Sequence, residues 1–139
     1  MMNKVFIDTS YILALSFRTD QYHKEANSIS IELEMKNTEL FITYAVILEI
    51  INTLSKRKYR YIAIELMNYF EKDFNIKIIP FSEDLYKRSR KLYTERPDKE
   101  WSLTDCISFV VMEDYGLHQA LTADKHFQQA GFQALLLNS

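Results

Sequence analysis

Short apolar, β-branched runs alternate with longer amphipathic stretches along the whole chain. KVFI (4–7) is the first such run and ends at Asp8, a pattern that predicts a strand. ELFIT (39–43), IKIIPF (76–81), QALTA (119–123) and FQALLL (132–137) read as further strands. Between them the apolar spacing is helical over 10–17, 20–36, 44–58, 60–73, 82–96 and 102–115, with a short helix at 124–130. The first helix starts at Asp8, Thr9 or Ser10. Thr43 and Ser82 stand where N-caps are expected, Glu83 and Asp84 suit a first turn, and Gly116 and Gly131 stand where helices stop. Strands that alternate with helices imply an α/β sandwich with a mostly parallel sheet. No repeat, low-complexity tract or boundary interrupts the pattern, so residues 1–139 are expected to form one domain.

Composition narrows the class. The chain is 47% hydrophobic and 26% charged, as a globular protein is, and its two glycines and two prolines leave little room for linkers. No apolar run approaches the ~20 residues that span a bilayer. The N-terminus reaches Asp8 too soon for a signal peptide. The single cysteine, Cys106, forms no internal disulfide and lies in an apolar run. The cytoplasm is the expected location. A net charge of −2 argues against nucleic-acid binding by bulk charge, though not against a basic patch beside a metal-loaded acidic site.

The acids carry the candidate chemistry. Ligands of open α/β sheets bind at the carboxyl ends of the strands. Asp8 follows one predicted strand directly, and Asp124 lies one residue past another. Asp105 opens a helix whose N-terminus falls on the same rim if it leads into the next parallel strand. Each alone reads as a helix cap: DTS at 8–10, an acid three residues after Ser102, and Asp124 before KHF. Together on one rim they repel, and a divalent cation with oxygen ligands answers that repulsion. Ser, Thr or Asn would cap as well. Glu49 is a different case. With its helix turned by ~100° per residue, Val46, Ile47, Ile50, Ile51 and Leu54 form the apolar face. Glu49 falls opposite, beside Ala45, Asn52, Thr53 and Lys56, where periodicity reads as a solvated face.

Other chemistries find less support. No Ser–His–acid or Cys–His set is evident, and His23, His118 and His126 lack zinc-motif spacing. His126, two residues from Asp124, is within reach of a substrate but reads first as a surface residue, and Asp98 reads as a solvated loop acid before an extra contact of the site. KRKYRY (56–61) brings Lys56, Arg57, Lys58 and Arg60 together with two tyrosines, a mixture suited to phosphates and unpaired bases. KRSRK (87–91) reads as a solvated helical face.

VFIDTSYILAL, VILEIINTL, WSLTDCISFVVMEDYG and ALTADKHFQQAGF together resemble the PIN-domain nucleases, including the VapC-type toxins of bacterial toxin–antitoxin pairs. The resemblance runs from Val5 to about Leu137, and DQYHKEA (20–26) is similar to an early family segment of structural role. It implies a three-layer α/β/α sandwich and an endoribonuclease that hydrolyses RNA with Mg²⁺ or Mn²⁺. It assigns Asp8, Glu49, Asp105 and Asp124 as catalytic and metal-holding acids. Here the resemblance, not helical phase, brings in Glu49. The hydroxyls of Thr9, Ser10, Thr104 and Thr122 stand beside these acids, placed to support them or to hold water. Implied partners are RNA, an antitoxin protein and a second copy of the chain, with helices 44–58 and 60–73 as the candidate surface. The rival readings are a catalytically inert binding or regulatory module on the same fold, and housekeeping RNA processing. A phosphatase of the haloacid-dehalogenase kind would want a second aspartate where Ser10 stands.

Overall fold

The computed structural model describes residues 3–137. Its centre is a five-stranded sheet of β1 (Lys4–Ile7), β2 (Glu39–Thr43), β3 (Ile76–Ile79), β4 (Gln119–Leu121) and β5 (Gln133–Ala134). The strands lie in the order β3-β2-β1-β4-β5, and every neighbouring pair is parallel. Parallel strands need crossover connections, and helices supply them. These are α1 (Thr9–Ser16), α2 (His23–Met35), α3 (Tyr44–Thr53), α4 (Arg60–Lys72), α5 (Glu83–Glu95), α6 (Leu103–Asp114) and α7 (Lys125–Gln129). The architecture is the expected α/β/α sandwich. A sheet covered on both faces must be apolar on both, and consecutive residues of β1, Val5, Phe6 and Ile7, are all buried. Among the described residues no helix is long and apolar enough to cross a membrane.

Three turns set the entry of three strands. Gly116 (φ 65°) and Gly131 (φ 95°) take the left-handed conformation that glycine adopts without a side-chain clash. After Gly116, the Leu117 N–H bonds the Met112 carbonyl at 2.8 Å, and after Gly131, the Phe132 N–H bonds the Phe127 carbonyl at 2.9 Å. Asn37 (φ 50°) does the same before β2, with the Thr38 N–H bonded to the Leu33 carbonyl at 3.0 Å. Each turn reverses the chain and buries the residue that leads into a strand: Thr38, Leu117 and Phe132.

Several boundaries differ from the sequence pattern. The helix expected over 44–58 ends at Thr53, and Leu54 is buried as its cap. The hydroxyls of Thr53 and Ser55 bond carbonyls of the last turn, Lys56 is extended, and a 3₁₀ turn follows at Arg57–Tyr59. Such hydroxyl bonds compete with helical ones, and no glycine or proline announces the stop. The helix expected from residue 20 begins at His23, because the Asp20 carboxylate accepts the Tyr22 N–H at 2.8 Å and closes a turn. The strand expected over 76–81 stops at Ile79, before Pro80, which has no N–H to offer a ladder. The strand expected over 132–137 is regular only at Gln133–Ala134. Leu135 and Leu136 still bond the end of β4, but the Leu137 N–H turns back to Ala134.

Helix α7 is only five residues long, too short to hold itself. It is anchored by Phe127, fully buried, whose ring packs against Phe109 at 5.0 Å and Phe6 at 6.3 Å between centroids. Phe127→Ala is expected to cost about 3–5 kcal/mol of stability. Chemical denaturation checks this; a loss below about 1 kcal/mol would mean that α7 is not held by this side chain.

Candidate metal centre

Strand order reverses between β1 and β4: from β1 the chain moves outward one way to β2 and β3, and later the other way to β4 and β5. Such a switch point opens a crevice at the carboxyl ends of the strands. Asp8 leaves β1 there, and its N–H bonds the Leu121 carbonyl at 3.1 Å, which sets Asp8 beside Thr122. Asp8 is 6% exposed. It occupies the N-cap position of α1, yet its side chain makes no capping hydrogen bond. Instead Asp8 Oδ2 accepts the Thr122 hydroxyl at 2.6 Å and, at 3.4 Å, the Ser10 hydroxyl. Those hydroxyls are themselves held, since Thr122 Oγ1 accepts the Asp124 N–H at 3.0 Å and Ser10 Oγ accepts the Ala123 N–H at 2.9 Å. A cap contributes about 0.5–2 kcal/mol, whereas burying a carboxylate charge without a partner costs several. Capping therefore does not account for an aspartate here.

Asp105 and Asp124 do cap. Ser102 and Asp105 form a full capping box at the head of α6: the Ser102 hydroxyl accepts the Asp105 N–H at 2.9 Å, and Asp105 Oδ2 accepts the Ser102 N–H at 3.1 Å. Asp124 Oδ1 accepts the His126 N–H at 2.8 Å and starts α7. Each cap uses one carboxylate oxygen, and the second oxygen of each takes part in none of these bonds. The two helix starts converge, so that ligand atoms of Asp105, Asp124 and His126 lie within 4.8 Å of one another. His126, which the sequence reading left on the surface, belongs to this cluster. Its Nδ1 is 3.0 Å from Asp105 Oδ2 and 3.3 Å from Asp124 Oδ1. The signal was present in the D-x-H spacing, because an aspartate that caps the N–H two residues on brings that residue over itself.

Glu49 is exposed on α3, as its helical phase predicts, but the Thr9 hydroxyl donates to its Oε1. Through Thr9, the residue next to Asp8, the glutamate is tied to the rim. Thr104 is placed differently from the other three hydroxyls. Its hydroxyl makes no hydrogen bond to any of these acids, because consecutive helical side chains point ~100° apart; its carbonyl accepts from Ser108. Lys56, Arg57, Lys58 and Arg60 are exposed and none pairs with an acid of the rim, although Arg60 bonds the Ser55 carbonyl. Lys58 lies over the Tyr59 ring, which packs edge-on against Phe17, while Tyr61 is exposed. KRSRK is engaged differently: Lys87 pairs with Glu83, and Arg88 binds both Asp84 and Asp114. Asp98 is an exposed loop acid paired with Arg96 and Lys99.

The electrostatics set Asp8 apart. Burial, before all else, pushes its carboxyl from the ordinary 3.8 up to about 7. The charges of Asp105 and Glu49 push the same way, and the Thr122 hydroxyl and Thr9 N–H oppose them. Among the described residues no lysine or arginine forms an ion pair with Asp8, Glu49, Asp105 or Asp124. The donor set is therefore mainly carboxylate oxygen with a deficit of positive charge, which fits a hard divalent cation such as Mg²⁺ or Mn²⁺.

A family model described as PIN domain matches residues 5–133. Several solved structures share the fold, among them these two. One is VapC20 of Mycobacterium tuberculosis, described as a toxin that cleaves the sarcin–ricin loop; it has a TM-score of 0.80 at 23% identity, over 92% of this chain and 95% of that one. The other is FitAcB from Neisseria gonorrhoeae, with a TM-score of 0.60 at 19% identity over 94% of each chain. No curated protein sequence matches the chain.

A raised acid pKa has a definite consequence for stability without metal. Between the ordinary 3.8 and about 7, folded Asp8 keeps a proton that the unfolded chain releases. Its contribution to stability therefore falls as pH rises through that window and levels off above it. In EDTA, Asp8→Asn should melt near the wild-type temperature around pH 4 and above it around pH 8. Melting curves across pH check this; parallel curves for the two proteins would contradict it.

Proposed function

The chain belongs to the PIN domain family, and from that premise we propose that it is a divalent-metal-dependent endoribonuclease. The observation that carries the reading is the cluster of Asp105 and Asp124 with His126 at the rim, with buried Asp8 linked to Asp124 through Thr122, Glu49 tied in through Thr9 and, among the described residues, no lysine or arginine paired with any of the four acids. Asp8, Asp105 and Glu49 hold the main ion directly or through water, and Asp124 holds a second ion or orients the attacking water. Bound Mg²⁺ or Mn²⁺ supplies charge relief at the scissile phosphate and a more acidic water. The protein's part is positional: Thr122 and Ser10 fix the Asp8 carboxylate, and Thr9 fixes Glu49. Lys56, Arg57, Lys58 and Arg60 contact the RNA backbone outside the acids, with Tyr61 free to stack on a base.

The likeness to VapC20 supports a toxin role, and with it a cytoplasmic RNA target and an antitoxin that covers the rim. Exposed Ile31 and Met35 of α2 and Tyr61 and Ile64 of α4 offer apolar surface to that antitoxin or to a second copy of the chain.

Cleavage of a panel of structured and single-stranded RNAs tests the reading. Cutting should need Mg²⁺ or Mn²⁺, stop in EDTA, and fall by at least ~10²-fold in Asp8→Asn and Asp105→Asn. A folded protein that gains no thermal stability from Mg²⁺ or Mn²⁺ would overturn the reading in favour of the inert module, whereas one that gains it yet cuts none of these RNAs would point to a narrower target. Replacing Lys56, Arg57, Lys58 and Arg60 together by alanine should raise KM with kcat kept, and should flatten the salt dependence of binding. Unchanged KM and salt slope would remove these residues from the RNA interface.

A further inference from the structure

We propose that His126 is a positioning residue of the acidic rim, holding Asp105 through its ring and Asp124 through its backbone so that each carboxylate turns its other oxygen to the cation. The inference rests on the metal-centre reading above and assigns a role to a residue outside the four acids.

The geometry carries it. The ring Nδ1 lies 3.0 Å from Asp105 Oδ2 and 3.3 Å from Asp124 Oδ1. Ionised carboxylate oxygens only accept hydrogen bonds, so the nitrogen between them carries the hydrogen. An Nδ1 that donates has no lone pair for a metal, and this nitrogen is a support, not a ligand. The same residue's backbone N–H bonds Asp124 Oδ1 at 2.8 Å. His126 thus donates to the acids at the heads of two separate helices, α6 and α7. Asp105 Oδ2 receives a second donor, the Ser102 N–H at 3.1 Å. Two donors on one oxygen restrain the rotation of the carboxylate and leave Oδ1 as the atom it can offer a cation. Without the imidazole, each carboxylate keeps its backbone donor, but the one side chain that bridges the two is gone and their mutual repulsion is left to turn them apart. Supports of this kind are worth ~10–100-fold in metal affinity.

Calorimetric titration of the full chain with Mn²⁺ tests this, with wild type compared to His126→Ala, His126→Asn and His126→Gln. The asparagine amide nitrogen stands where Nδ1 does, and the glutamine amide nitrogen stands near Nε2. Alanine and glutamine should each weaken Mn²⁺ by about tenfold or more, while asparagine should stay within a few-fold of wild type. Equal affinity in all four proteins would overturn the inference and leave the metal centre intact. Rescue by glutamine and not asparagine would overturn it in favour of direct ligation through Nε2. A wild type that binds no Mn²⁺ would instead overturn the metal centre itself, and the positioning role with it. A second readout needs no metal: long-range ¹H–¹⁵N spectra of the metal-free protein should show His126 protonated at Nδ1. A bare Nδ1 would overturn the hydrogen bond whatever the metal does.

Discussion

The 2.6 Å hydrogen bond from Thr122 to Asp8 is the interaction on which the rim depends. It joins the ends of β1 and β4, the two strands between which the chain changes direction. It also holds a carboxylate where burial opposes its charge. The same threonine oxygen accepts the N–H of Asp124 and so ties the fourth acid to the first. A buried acid with repelling neighbours lowers the stability of the fold. Such a local cost, kept where a neutral cap would serve, is what a functional site looks like in a sequence otherwise consistent with its fold.

The helix starts serve two ends at once. The capping box of α6 and the aspartate cap of α7 would be good helix chemistry in any protein. Because both helices begin at the carboxyl edge of a parallel sheet, their two capping carboxylates meet at the His126 ring. Asp8 breaks that rule by not capping at all, and its environment is the one that burial perturbs most. The two basic runs divide along similar lines. In KRSRK, Lys87 and Arg88 are held in ion pairs along α5 and with Asp114, whereas the charges of 56–60 are exposed and, among the described residues, form no ion pair.

Much of this was legible in the residues, for local reasons. KVFI before an acid marks a strand that ends at the rim, S-x-x-D marks the start of α6, and Gly116 and Gly131 mark left-handed turns that few other residues tolerate. Asn37 makes the same turn, but asparagine also caps and bends chains in other ways, so it gave no warning. The end of α3 at Thr53 was hidden because hydroxyl bonds to the helix's own carbonyls stop it, with no breaker in the sequence. Glu49 was on the solvated face as periodicity says; only tertiary structure brings Thr9 to it. The D-x-H spacing encodes the bond of His126 to Asp124, but its contact with Asp105 needs α6 and α7 side by side, which no local pattern encodes.

The central claim is that the acids at the β1–β4 switch point form a cation site. Crystals soaked in Mn²⁺ and measured at the manganese absorption edge test it most directly. The account predicts an anomalous peak at coordination distance, about 2.0–2.3 Å, from the carboxylates of Asp8 and Asp105. A clean map with no peak among Asp8, Glu49, Asp105 and Asp124 would contradict it.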